Sequence, residues 1–419
     1  MDARIEELKR TIRQKIIEAI DYSKDISDEE MYELIDNELI AGTKKMMLPV
    51  SERKKLRTQI FHSIRKLDIL QQLVDDSQVT EIMINGTGNI FIEKQGAITQ
   101  YDGSFESKEK LEDVVQQIVA GCNRVVNESS PIVDARLPHS GARVNVVLPP
   151  VALNGPIVTI RRFPEKPINM QRLIELGAIS EYLRDYLSVL VMAGYNIFIS
   201  GGTGSGKTTF LNALSDYIPK DLRVITIEDN AELQIQGVPN LVRLESRNAN
   251  VEGCREISIR DLIKSSLRMR PDWIIVGEVR GGECVDMLQA MNTGHMGMST
   301  GHSNCARDML YRIETMSLMG MGELPLTAIR GQISAGIDII VHLGRFRDRS
   351  RKVVEICELD KELDEAGRIT LNPLFRFVET GTVFEEKGKE VIKGEWKRIG
   401  ELKNTTKLEA AGLVLPAES

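Results

Sequence analysis

Apolar positions at the start of the chain fall three and four residues apart. Ile5, Leu8, Ile12, Ile16 and Ile20 keep that spacing and so share one face of a helix. Ser27 with Glu30 forms a capping-box pattern ahead of MYELIDNELIAG, and Ser51 opens a third helical pattern through Leu56, Ile60, Ile64 and Leu67. Residues 1–75 are therefore expected to form a helical module. From Val79 the runs shorten to EIMING, NIFIEKQG and AITQYDG, broken by Asn-Gly and Gly turns that suit hairpins. A helix over Lys108–Ala120 and the strand-like ARVNVVLPP and IVTIRRF complete an expected α+β domain over 76–163. FPEKPINM then reads as a linker, placed at 164–170.

Over 171–345 the pattern changes again. NIFIS, RVITIE, DWIIVGE and DIIVHLG are apolar enough for strands buried on both faces, and helical patterns separate them. That alternation predicts an α/β domain with a parallel sheet covered by helices. Residues 346–419 open on the charged loop RFRDRSRK and continue as a β-containing extension through VVEICEL, RITLNPLFRFV and a short helix. No internal repeat or low-complexity tract is present.

The chemistry begins where NIFIS runs into GGTGSGKT. Gly201, Gly206, Lys207 and Thr208 satisfy G-x-x-x-x-G-K-[ST], after a predicted strand and before a predicted helix, which is the context a P-loop requires. Glycines let several backbone N–H groups converge on one anion, and the helix N-terminus adds a favourable dipole. Gly201, Gly202, Thr203, Gly204, Ser205, Gly206, Lys207, Thr208 and Thr209 are thus the expected nucleotide cradle. Lys207 is expected against the β- and γ-phosphates and Thr208 on Mg2+.

Hydrolysis needs a base or a group that positions water. The apolar run Trp273–Val276 leads to Glu278, and in a parallel sheet ligands sit at the carboxyl ends of strands, so Glu278 and the P-loop should face one crevice. Val224–Ile227 leads in the same way to Glu228 and Asp229, which could hold Mg2+ through water, orient the attacking water, or be solvated turn residues. His295 and His302 flank a glycine- and threonine-rich stretch. Their seven-residue spacing and the lack of a third ligand disfavour zinc, whereas a histidine near the γ-phosphate could sense it. Arg136, Arg143, Arg161, Arg162, Arg268, Arg270 and Arg280 are candidates to stabilise charge on the transferred phosphoryl group.

Composition narrows the classes. The chain has 419 residues, 42% apolar and 27% charged, and its net charge of −7 with only 5% aromatic residues argues against a nucleic-acid-binding surface. Five scattered cysteines without C-x-x-C spacing suit a reducing cytosol. No apolar run reaches 18 residues, and the charged N-terminus lacks a signal-peptide core, so the expectation is a cytoplasmic protein not inserted in a membrane.

Several motifs then line up in order: TEIMING, DARLPHSGARVNVVLPPVALNGPIVTIRRF, the P-loop, VITIEDNAEL, LRMRPDWIIVGEVRGGE and TGHMGMSTGH. Across residues 76–345 the chain resembles the type II/type IV secretion ATPases, most closely the CpaF branch that powers Tad (Flp) pilus assembly. The resemblance implies a PAS-like N-terminal domain linked to a RecA-like P-loop ATPase domain, assembled as a homohexamer with ATP and Mg2+ between the two domains. It implies that Glu228 and Asp229 form an acidic box, that Glu278 is the Walker B catalytic glutamate, and that His302 belongs to a histidine box. Arg136, Arg143 and Arg161 would reach the nucleotide from the N-terminal domain, and Arg280 would join the site. Glycine at 277 is usual for the family and leaves Mg2+ to Thr208, water and Glu228. The serine after His302, where relatives commonly have alanine, leaves the imidazole in place.

The implied partners are integral inner-membrane platform proteins, with the ATPase peripheral to the inner face of the cytoplasmic membrane and no nucleic acid expected. The alternatives are a RecA-like ring translocase acting on DNA and a nucleotide-gated scaffold without hydrolysis. A GTPase is disfavoured because no N-K-x-D motif occurs.

Overall fold

The computed structural model describes residues 3–20, 26–43, 48–94, 96–122, 124–137, 141–162, 167–247, 255–320, 324–384 and 390–417. They fall into two compact units, Met1–Glu165 and Lys166–Ser419. Of the expected linker at 164–170, residues 164–166 lie outside the described residues. Its last residue, Met170, already opens a helix, because Asn169 accepts the Arg172 N–H at 2.9 Å and caps it.

The first unit opens with α1 (Ala3–Ala19), α2 (Asp28–Gly42) and α3 (Val50–Arg65). Ser27 and Glu30 close a reciprocal capping box on α2. Helix α3 starts one residue before the expected Ser51, with Pro49 as its cap residue. Ile12, Ile16, Met31, Ile35, Leu39, Leu56 and Ile60 pack together between the three helices. The helical region divides earlier than residue 75: α4 (Leu70–Asp75) places Leu70 and Leu73 in the core of the following sheet.

That sheet has six strands, β1 (Val79–Asn85), β2 (Ile90–Lys94), β3 (Ala97–Gln100), β4 (Ile132–Arg136), β5 (Arg143–Val147) and β6 (Ile157–Arg161). They are antiparallel in the order β3-β2-β1-β6-β5-β4. Ile82, Ile84, Val144, Val146, Val158 and Ile160 alternate along their strands and share a core with α5 (Lys108–Gly121).

The second unit carries α6 (Met170–Glu175), α7 (Glu181–Met192), β7 (Ile197–Gly201), α8 (Lys207–Ser215), β8 (Val224–Glu228), β9 (Leu241–Glu245), α9 (Ile259–Ser266) and β10 (Trp273–Val276). It continues with α10 (Glu283–Asn292), β11 (Met296–His302), α11 (Ala306–Gly320), α12 (Leu326–Gly336), β12 (Ile339–Arg345), β13 (Arg351–Leu363), β14 (Ile369–Phe384), β15 (Glu390–Arg398) and α13 (Thr406–Ala411). One nine-stranded sheet runs β15-β14-β13-β12-β7-β11-β10-β8-β9. Strands β12 through β9 are parallel, and β13–β15 extend the same sheet antiparallel.

Successive residues of the parallel strands serve two cores. Ile197, Ile199, Trp273, Ile275 and Val341 belong to one, and Phe198, Ile274, Val276 and Ile340 to the other. Strand β11 had read only as a glycine- and threonine-rich stretch, yet it lies at the centre of the sheet. Its glycines pack against methionines: a Cβ on Gly297 would meet Met291 Cε at 2.6 Å, and one on Gly301 would meet Met309 Cε at 2.8 Å, so a larger residue would displace those side chains.

The C-terminal residues are fastened to the parallel strands through Asp338, which is 2% exposed. Lys361 Nζ and Lys407 Nζ each lie 2.6 Å from its carboxylate, and the Asn196 N–H donates to it at 2.7 Å. Removing one member of a buried ion pair leaves the rest uncompensated. Asp338→Ala is expected to cost about 2–4 kcal/mol, read as a lower urea midpoint, because both lysines then lose their carboxylate. Glu395→Ala, which removes only the surface pair with Lys397, should leave the midpoint within about 0.5 kcal/mol of the parent.

Candidate functional site

The parallel register places the chemistry. At the carboxyl edge of the sheet, His302 on β11 pairs with Gly201 at the end of β7, and Leu343 of β12 pairs with Gly201 from the other side. On the far side of β11, the Gly277 N–H donates to the Ile227 carbonyl at 2.9 Å, which sets Glu278 beside Glu228.

The P-loop leaves β7 through Gly201, where any Cβ would fall 2.5 Å from the Leu343 carbonyl oxygen. Gly204 and Gly206 adopt φ of 70° and 91°, and Gly206 caps α8 in the left-handed region. Lys207 follows at the helix start and is buried. Its ammonium donates to the Gly202 carbonyl at 3.1 Å and lies 3.2 Å from His302 Nδ1. Burial lowers its pKa, opposed by the Glu278 carboxylate and reinforced by Arg280.

An ammonium only donates, so His302 Nδ1 must be the acceptor and Nε2 carries the proton. Nε2 lies 2.8 Å from Glu278 Oε1, at ion-pair distance but without the alignment of a hydrogen bond, so that oxygen keeps no hydrogen-bond partner among the described residues. Burial first, and then the Lys207 charge, lowers the His302 pKa and keeps the ring neutral near pH 7. Arg280 holds the other oxygen of Glu278 from Nε at 3.0 Å and Nη2 at 2.5 Å. The loop carrying Arg280 is fixed by Glu283, whose Oε1 accepts the N–H groups of Arg280 and Gly281. Lys207, His302, Glu278 and Arg280 thus form one connected line beside the P-loop.

Glu228 is buried next to it. Its Oε1 accepts the Glu232 and Leu233 N–H groups at 2.9 Å each, while Oε2 is buried with no hydrogen-bond partner among the described residues. The glycine at 277 has a packing cause: a Cβ there would lie 2.9 Å from Glu228 Cγ. Asp229 departs from Glu228. It is exposed and accepts from Ser246 Oγ at 3.1 Å, so the expected acidic box contributes one carboxylate to the buried edge rather than two.

Arg268, Arg270 and His295 stand away from the P-loop. They precede β10 and β11 and so lie at the amino end of the sheet, opposite the P-loop, and His295 Nδ1 sits 3.2 Å from the Ala290 carbonyl oxygen. Thr203, Ser205, Thr208 and Thr209 fall in the loop and first turn of α8. Two contributions escaped the sequence. His342 on β12 meets Ser200 Oγ at 2.9 Å behind the P-loop, and Arg351 Nε donates to the Gly204 carbonyl at 2.8 Å. The only signal for the second was the basic RFRDRSRK run.

In the first unit, Arg136 pairs with Arg143 and Arg143 with Arg161 across β4, β5 and β6. The three arginines stand side by side at one end of the sheet, with Arg136 Nε on the Gly141 carbonyl at 3.0 Å and Arg161 opposite Glu81 of β1. Arg162 turns away to the Asp76 carbonyl.

Among the described residues no three His, Cys, Asp or Glu side chains converge to hold a metal, and no helix is long and apolar enough to cross a membrane. The profile of the type II/IV secretion system protein family matches residues 64–387. The chain belongs to this family of secretion ATPases. Conjugal transfer protein TrbB of Rhizobium radiobacter is 33% identical over 306 residues, covering 71% of this chain and 90% of that relative. Type IV secretion system protein PtlH of Bordetella pertussis is 30% identical over 328 residues, covering 70% and 94%. Among solved structures, the pilus retraction motor PilT with bound ADP superposes with a TM-score of 0.51 at 19% identity, covering 83% of this chain and 87% of that one. The ATPase DotB of Yersinia pseudotuberculosis gives 0.51 at 18%, covering 71% and 79%. The chain shares their mixed α/β fold, and it is an ATP hydrolase of the type II/IV secretion family.

Burial raises the Glu228 pKa to about 7, against the two N–H groups that favour its charge. A carboxyl whose folded pKa lies above its unfolded 4.5 stabilises the fold fully below pH 4.5 and loses that contribution as pH rises through 7. Between pH 4.5 and 8 the nucleotide-free parent should therefore lose up to about 3 kcal/mol relative to Glu228→Gln, measured by urea unfolding at each pH. A difference that stays constant over that range would show that Glu228 is ionised throughout.

Proposed function

We propose that the protein is a hexameric, Mg2+-dependent motor on the inner face of the cytoplasmic membrane, driving assembly of a Tad/Flp-type pilus through an integral inner-membrane platform protein. The observation that carries the reading is the line Lys207–His302–Glu278 beside the P-loop, which joins a phosphate ligand to a carboxylate base through a neutral imidazole.

In this reading Gly201 through Thr209 cradle the triphosphate with backbone N–H groups, and Lys207 exchanges the Gly202 carbonyl for β- and γ-phosphate oxygens. Glu278 takes a proton from the attacking water, and its oxygen nearest His302 is the one left without a hydrogen bond for that purpose. The Arg280 clamp on the other oxygen fixes the carboxylate and must loosen for Arg280 to turn toward developing charge. His302 responds to the γ-phosphate, because Lys207 leaving its Nδ1 changes what the ring can accept. The residues fit Mg2+: Thr208 opens α8 beside Lys207, and the orphaned Glu228 Oε2 suits a metal-bound water. When bound, Mg2+ would neutralise charge between the phosphates.

The parallel sheet is the RecA-like motor domain of this reading. Residues 76–163 of the first unit, the antiparallel sheet with α5, are its PAS-like domain, and Arg136, Arg143 and Arg161 are the arginines it brings to the nucleotide. The segment around Phe163–Met170 would act as the hinge that turns ATP binding and release into movement between domains. The chain's net charge of −7 and its sparse aromatic residues weigh against a DNA translocase, for which DNA-stimulated turnover would be the sign.

Phosphate release and nucleotide binding, measured on the same variants, test the assignment. Glu278→Gln should bind ATP as the parent does and lose turnover by at least about a hundredfold, while Lys207→Ala should lose both. Parent-level turnover in Glu278→Gln would remove Glu278 from the base role.

A further inference from the structure

The turn between β12 and β13 is strongly basic, and its arginines divide into two groups. Arg347 is neutralised within the sheet extension by Glu379 on β14 and Glu390 on β15, and Phe346 packs edge-on against Phe377 at 5.4 Å. Asp348 accepts the Ile392 N–H at 2.8 Å and the Ser350 hydroxyl at 2.6 Å. The turn is therefore held rigidly by β14 and β15.

Arg345 and Arg351 are treated differently. They are directly opposed in the β12–β13 ladder, an arrangement of like charges that destabilises a strand pair unless something else engages them. Both face the P-loop. Arg351 donates to the Gly204 carbonyl at 2.8 Å and its Cδ would lie 3.4 Å from a Cβ on Gly206, while Arg345 Nη1 would lie 3.7 Å from a Cβ on Gly204. Among the described residues Arg345 has no hydrogen-bond or ion-pair partner, although it is exposed beside a loop built to hold an anion.

The Gly204–Ser205 peptide explains what Arg351 does there. Across a trans peptide the carbonyl and the next N–H point in opposite directions. With the Gly204 carbonyl held on Arg351, the Ser205 N–H is turned the other way, and it donates to the Gly202 carbonyl at 3.3 Å, the same oxygen that receives Lys207. The arginine thus keeps an acceptor out of the phosphate cradle and a donor in it.

We propose that the β12–β13 turn is a second, cationic wall of the nucleotide site, in which Arg345 binds the phosphate tail of ATP and Arg351 is a positioning residue for the P-loop. The proposal rests on the P-loop reading above, and it gives the sheet extension a role: β14 and β15 brace the turn that places both arginines.

The test uses the full-length protein with ATP as the probe, measuring kcat and KM together with binding of a non-hydrolysable ATP analogue. Arg345→Ala should weaken analogue binding and raise KM about tenfold, with a smaller effect on kcat, and Arg345→Lys should recover part of the loss. Arg351→Ala should lower both affinity and kcat. Arg349→Gly is the control, because it removes a charge from the same turn at a residue whose φ of 67° suits glycine, and it should keep the parent KM. An Arg345→Ala variant that keeps the parent KM within about twofold, or a rise matched by Arg349→Gly, overturns the proposal. If the parent itself fails to bind ATP, the nucleotide-site reading falls and takes this proposal with it. If the parent binds in a Lys207-dependent way and Arg345→Ala binds equally well, only the proposal falls.

Discussion

The site depends on one contact, the neutral His302 ring held between the Lys207 ammonium and the Glu278 carboxylate. Lys207 opens α8 after β7 and Glu278 follows β10, and the imidazole lies between them, 3.2 Å from the ammonium and 2.8 Å from the carboxylate. Its geometry is fixed by backbone register: His302 opposes Gly201 in the β11–β7 ladder, and the Val279 N–H donates to the Thr300 carbonyl at 3.0 Å, so the loop after β10 is stitched to the same strand. Three neighbouring parallel strands therefore deliver three chemical groups to one edge.

The surroundings serve to keep those groups apart in charge and position. Glycine at 277 admits the Glu228 side chain, which then sits buried with one oxygen tied to two N–H groups and the other free. Arg280 occupies the outer oxygen of Glu278, and Arg351 occupies the outward carbonyl of the P-loop. Strands β13–β15, anchored at Asp338 and by Trp396 Nε1 on the Val353 carbonyl at 2.7 Å, hold the second of these arginines.

Much of this was legible in the sequence because it follows from short-range rules. The P-loop, the apolar strands that lead into Glu228 and Glu278, and the helix cap at Ser27 depend on residues close together along the chain. Strand β11 was not legible, because Gly297 and Gly301 remove the β-branched signal that marks a strand, and their contacts with Met291 on the preceding helix and Met309 on the following one exist only once those helices pack on the sheet. The amino-end placement of Arg268, Arg270 and His295 needs strand direction rather than spacing. The approach of Arg345 and Arg351 to Gly204 joins residues about 140 positions apart through an antiparallel extension that composition alone reads as a charged loop.

If His302 and Glu278 act as a unit, their losses should not add. The measurement is a double-mutant cycle on kcat for ATP, comparing His302→Ala, Glu278→Gln and the double variant. The account predicts that the double variant falls within about threefold of Glu278→Gln alone, since the imidazole has nothing left to orient. Losses that multiply would show two independent groups and contradict it.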